Sequence, residues 1–309
     1  MIHLRQRYAL SRLCCCFALI TALALGGASA TIAGTRATEG TRTKYVIDVF
    51  QGQLVRPMLS YRAYVNGLLT QLNGQLSTLL AAEQAGNLPA AEAAWLPAHL
   101  SWLEIGQDDG AYGAFGALGG QIDGLADGHV GGTASPGFAG FHRIEFELWT
   151  KSDTSAAALA TVALQALVAR LERIGMAREL PLSVSSLSAW VLRCHEILED
   201  ADRDSLTAYD NYGSGSDIAS VSADVSATRE MLSVLAPVIR PRAPHLLAVA
   251  RAQLRALDRA ATATVADGQW VAVAALPQAQ RERVDAAAGA ALETLAPVSD
   301  LIHVAGDDT

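Results

Sequence analysis

Lysine is almost missing from this chain. Lys44 and Lys151 are the only two, and arginine carries the rest of the positive charge. Basic residues are outnumbered 23 to 31, for a formal charge of −8. That balance argues against nucleic acid or an anionic membrane surface as a partner. It is compatible with gathering cations, and equally with simple solubility. Cysteine is scarce too: Cys14, Cys15 and Cys16 sit together near the N-terminus, and Cys194 stands alone in the remainder. A disulfide framework is thereby excluded for that remainder, and Cys194, on an apolar helical face, reads as inert core. There is no CxxC pair, nucleophile elbow, phosphate loop or dinucleotide fingerprint, so the chemistries those motifs carry have no foothold.

The N-terminus has a distinct composition. Arg5, Arg7 and Arg12 precede an apolar run from about Leu13 to Leu25, followed by Gly26, Gly27 and Ala28-Ser29-Ala30. A basic start, a short apolar segment and small residues at a cleavage site predict a secretory signal peptide over residues 1–30. The run is shorter than the roughly 20 residues that span a bilayer, and the cysteines precede most of it where a lipidated cysteine would follow. Cleavage would remove three basic residues and no acid, taking the charge to −11. The expectation is an exported protein, periplasmic or extracellular at the cell envelope, with no stable membrane insertion of the mature chain. Residues 31–44 are small and polar and read as a flexible leader.

Beyond Tyr45 apolar residues recur at helical spacing in a sequence rich in Ala and Leu. Helices are expected near 45–84 (interrupted at Pro57), 90–105, 108–126, 138–150, 154–175, 183–209, 217–239, 243–266 and 277–303, with breaks at Gly and Pro clusters. Long helices on short loops predict an all-α protein, simplest as two up-down four-helix bundles in tandem, about 45–175 and 183–303.

The most informative segment is Gly137 to Trp149. On a helix stepping ~100° per residue, Phe141, His142, Glu145, Phe146 and Trp149 share one arc, while Arg143 and Glu147 fall outside it. An ionisable pair in the middle of an apolar face needs compensation, because burying unpaired charge costs several kcal/mol. A metal ion supplies it, since imidazole and carboxylate one turn apart can meet one ion. A buried His–Glu hydrogen bond that only stabilises the core is the bland alternative. A second set is the ladder His195, Glu199 and Asp202 beside the apolar face of the 183–209 helix, with Glu199 its best candidate ligand and plain solvation the alternative. The third is Gly106 to Asp123, whose six glycines would weaken an isolated helix by roughly 1 kcal/mol each. Asp109, Tyr112, Gly116, Gly119 and Asp123 nevertheless fall on one stripe, where small residues allow close helix approach and the end carboxylates could face His142. A glycine packing seam with exposed acids is the alternative there.

These segments resemble the imelysin-like family, and within it the EfeO/EfeM branch of bacterial iron-uptake proteins. Gly140-Phe-His-Arg-Ile-Glu145 with Leu148-Trp149 is similar to the family's GxHxxE segment. Gly113-Ala-Phe-Gly with Ile122-Asp123, His195 to Glu199, Tyr212 to Asp217, and Ser226 to Glu230 with Leu235-Ala-Pro237 continue the likeness over about residues 50–303. The resemblance implies paired four-helix bundles and an extracytoplasmic metal site. His142 and Glu145 carry over directly as ligands, Asp123 and Glu199 less directly. The family's upstream Tyr-Glu pair is replaced by Trp102 and Leu103, with Glu104 beside them, and about three extra residues precede Phe115. Asp109 is the expected substitute ligand, on the stripe argument alone. Some relatives carry a cupredoxin-like domain before the bundle, and the 14-residue leader expected here cannot hold one.

The favoured function is therefore an extracytoplasmic metal-binding protein that captures iron and presents it to a membrane iron permease, with a haem-containing peroxidase as a further partner by resemblance. Zn, Mn or Cu would also suit mixed imidazole and carboxylate ligands. The alternatives are an imelysin-type metallopeptidase, for which no general base can be assigned, and a metal-free surface interaction protein.

Overall fold

The computed structural model describes residues 47–49, 51–107 and 113–304. The expected signal peptide and leader lie outside them, and so does Asp109.

The described chain is all-α, apart from one pair of three-residue strands. Its first half holds α1 (Gln51–Gln84), α2 (Leu88–Leu103), the short α3 (Gly116–Asp123), α4 (Gly140–Glu145) and α5 (Thr154–Ile174). After a single turn, α6 (Met176–Glu179), come α7 (Val184–Asp200), α8 (Asp217–Ile239), α9 (Pro244–Thr262), α10 (Gln278–Leu295) and α11 (Pro297–Leu301). In the first half α1 packs on α2 and α5, and α4 packs on α5. In the second, α8 packs on α7 and α9, and α10 closes on both α9 and α7. Helix α8 also packs on α1 and α2, so the halves share one continuous apolar core.

Local chemistry explains where the helices start. The Asn87 side chain accepts from the Ala90 amide ahead of α2, and Asp153 accepts from the Ser155 and Ala156 amides ahead of α5. Ser183 does the same for α7. Each satisfies amides that have no intrahelical partner. Pro244 opens α9, where its missing N–H costs nothing. Helix α5 is long and apolar enough to cross a membrane. Its buried stripe of Ala157, Thr161, Leu164, Val168 and Leu171 is nonetheless that of a bundle helix facing neighbours on one side.

Several expected elements are corrected. Helix α1 runs unbroken through Pro57, which is buried near its N-terminal end. Among the described residues of the helix expected over 108–126, the α-helix runs only from Gly116 to Asp123. Its glycine content is the physical reason, and Gly116 itself adopts φ +50°. Residues 47–49 and 302–304, expected at helix ends, instead pair as parallel strands β1 and β2, Ile47 opposite Ile302 and Val49 opposite Val304. Two helices also end in wider π-type turns, Phe146–Lys151 after α4 and Ala201–Ser205 after α7. The first changes the angular phase beyond Glu145. Glu147, expected on the wet side, is buried and pairs with Arg143 at 2.7 Å.

Candidate metal centre

Three helices deliver the polar residues of the site. Asp123 ends α3, His142 lies in the first turn of α4, and His99 comes from the last turn and a half of α2. Their apposition depends on Gly140. It takes φ +77°, and a Cβ built there would lie 1.9 Å from the Ile122 carbonyl oxygen. Only glycine lets the start of α4 sit directly on the end of α3, and His142 then follows two residues later.

His99 Nε2 is 3.1 Å from Asp123 Oδ1, and His142 Nε2 is 3.5 Å from the same oxygen. One ligand atom from each of the three residues lies within 4.8 Å of the others. Two ligands about 2.1 Å from a shared ion lie roughly 3–4 Å apart, so the donor set fits one metal ion with modest adjustment. The side chains of His99, Asp123 and His142 are 3, 5 and 5 % exposed. Aromatic packing holds both rings: His99 lies against Trp95 and Phe141 at 4.7 and 5.1 Å between ring centres, and His142 against Tyr212 at 5.3 Å.

Glu145 faces the other edge of the His142 ring. Its Oε2 is 3.2 Å from Nδ1. Its Oε1 accepts from the amides of Tyr212 and Ser214, at 3.1 and 2.9 Å, and from the Ser214 hydroxyl at 2.6 Å. The Tyr212–Asp217 segment is thus a cradle for this carboxylate. Asn211 shapes it by accepting from the Gly213 amide and donating to Asp217.

Burial disfavours a charged His142, but Asp123 and Glu145 outweigh it and push its pKa up to about 9. Burial also opposes ionisation of the two carboxylates. Asp123 is still held below its ordinary value by His99 and His142, and Glu145 by His142 and Ser214. The site thus keeps its carboxylates charged and pays for them with a proton on imidazole, which a cation can replace.

The cluster lines a cavity of about 220 Å³ whose wall carries Asp200, Asp204, Asp210 and Asp224. Arg203 pairs with Asp200 at 3.0 Å and Asp204 at 2.6 Å. Asp210 accepts from Ser205, and burial raises its pKa.

The sequence profile of the imelysin family matches residues 58–298, which hold every residue of this cluster. The chain belongs to the imelysin family. Among curated proteins it is similar to the iron uptake system component EfeO of Escherichia coli (strain K12) and of Shigella flexneri. Each is 26% identical over 200 residues, covering 64% of this chain and 51% of the relative. The chain thus spans about half the length of the curated relatives it matches.

In this imelysin-family chain the structure brings together His142 and Asp123 and sets Glu145 behind His142. It does not bring Glu199 to them. That side chain is 52 % exposed and lies 3.4 Å from His195, as the upper rungs of an outward ladder. The acids that α7 and its π-type turn turn toward the cavity are Asp200 and Asp204. Glu104 is not among the cavity's lining residues. Sequence reasoning missed His99, yet the signal was there. His99 sits on the buried stripe of Ala91, Trp95, Ala98 and Trp102, the same placement of an ionisable group on an apolar face that singled out His142. Arg193 was missed too: it is buried on α7 and bonds the Gly106 carbonyl and Asp200.

Proposed function

We propose that this protein binds a metal ion through His99, Asp123 and His142, and that the ion is iron, carried as cargo of an iron-uptake system outside the cytoplasm. The observation that carries the reading is the convergence of two imidazoles and a carboxylate from three helices at one buried point of an imelysin-family chain. The likeness to EfeO supports iron as the cargo and a membrane permease as its recipient. His99 supplies from α2 the ligand that the resemblance expects as a carboxylate one turn later. Glu145 is a supporting residue: it fixes Nδ1–H of His142 inward and leaves Nε2 for the ion, the usual arrangement of a carboxylate behind a metal-bound imidazole. Asp210 and Asp224, on the cavity wall, are further oxygen donors for an ion that prefers more than three ligands.

Binding is favoured over peptide hydrolysis. A metallopeptidase needs a free base beside an open metal position; Glu145 is not that base, because it spends both oxygens on His142 and the 212–214 segment, and in this reading Asp210 and Asp224 serve as ligands.

The test is metal analysis of the purified chain after incubation with ferrous or ferric iron and gel filtration, alongside His99→Ala and His142→Ala. One iron per wild-type chain and little in either variant is expected. A metal-free wild type, or variants that retain iron equally, would overturn the proposal.

A further inference from the structure

Positive charge is the minority in this chain, yet four arginines gather in one groove. Arg229 of α8 and Arg251, Arg255 and Arg259 of α9 line a cavity of about 690 Å³ beside Tyr64 of α1. The three on α9 follow one another every four residues, so they share one helix face. Like charges at that spacing destabilise a helix, and the one acid interleaved among them, Asp258, is engaged elsewhere. The groove's carboxylates are Glu230 and Asp258. Asp258 is taken by Arg229 at 2.7 Å, across from α9 to α8. Burial raises the pKa of Glu230, and two carboxylates stand against four guanidiniums in the groove. Among the described residues, Arg251, Arg255 and Arg259 have no ion-pair partner. Arg255 and Arg259 are exposed at the rim and Arg251 is half-buried.

We propose that this groove binds small polyanions bearing two or more carboxylate or phosphate groups. A guanidinium presents paired donors that match the two oxygens of such groups. Three unpaired guanidiniums in a concave site focus positive potential in a chain whose overall field is negative. The volume admits a compact molecule spanning several arginines, so multiple charges on one ligand are favoured over a single anion. The groove and the metal cavity share no lining residue, so polyanion binding does not require the metal ligands.

Calorimetric titration of the metal-free protein with pyrophosphate and with tricarballylate tests this, the two probes separating a phosphate from a carboxylate preference. Saturable one-site binding of at least one probe is expected. It should weaken at least tenfold in Arg255→Ser/Arg259→Ser, a double change at exposed, unpaired positions, and persist in His142→Ala. Equal binding by the double variant would overturn the proposal. So would loss of binding in His142→Ala, or binding of a hexaglutamate peptide when neither small polyanion binds. The folded state of each variant is checked by its melting temperature.

Discussion

Gly140 and Ile122 meet so closely that the Gly140 Cα has no room for a side chain against the Ile122 carbonyl. This contact, and not the HxxE spacing, is what sets His142 beside Asp123. A Gly140→Ala protein must part α3 from α4 and strain a positive φ. We expect a loss of at least roughly 2 kcal/mol of stability, read from denaturant unfolding. Iron affinity should fall together with it. A variant as stable as wild type that still binds iron would show that the helix apposition does not depend on this glycine.

Ligands and supporting residues should separate in thermal shift. Saturating iron at a hundred times its Kd stabilises by about 2.7 kcal/mol. His99→Ala, His142→Ala and Asp123→Asn should each lose most of the resulting rise in melting temperature. Glu145→Gln should keep a rise with affinity weakened roughly 10–100-fold, as for other residues behind a ligand. Glu199→Ala should match wild type. A Glu199→Ala protein without the rise would restore the outward ladder as a ligand source.

Glu83 makes stability depend on pH. It is buried between α1 and α5, with one oxygen accepting from Thr161 and the other unpartnered. Burial pushes its pKa up to about 7, against the Thr161 hydrogen bond, which lowers it. Its folded pKa lies above the unfolded one, so the folded protein holds a proton that the unfolded chain has released. That proton's contribution is fully present below the unfolded pKa and is lost as pH rises through about 7. Glu83→Gln should therefore raise the melting temperature at pH 8 and change it little at pH 5. An equal effect at both values would mean that Glu83 is ionised in the fold throughout.

Export is tested most directly at the N-terminus. Expressed with its own first 30 residues in a host with a general secretion pathway, the protein should be recovered outside the cytoplasm with a sequence beginning near Thr31. Mature protein that retains Arg5 would contradict a cleaved signal peptide.

Much of the centre was legible because burial of an ionisable group is visible in a helical wheel. His142 and Glu145 stand inside an apolar arc, and Asp123 ends a stripe of small residues. The same test would have marked His99 between Trp95 and Trp102, had it been applied to α2. Glu147 misled because the 100° step fails where α4 widens into a π-type turn, and nothing in Phe146–Lys151 announces that change of pitch. Glu199 misled because a ladder beside an apolar face can turn toward a cavity or away from it. The neighbouring Asp200 and Asp204 took the inward side.

By itself, then, the sequence determined the helical class, the positions of the main breaks and the polar residues that must be reconciled with an apolar face. These follow from periodicity and capping, which act within a few residues along the chain. Only the tertiary structure decided that His99 joins Asp123 and His142, that Glu145 serves the opposite ring nitrogen, and that the Tyr212–Asp217 loop holds it there. A helical wheel specifies an angle about one axis. Which helix packs against that face, and at what height, is decided by contacts such as Gly140 on Ile122, made between segments that periodicity treats separately.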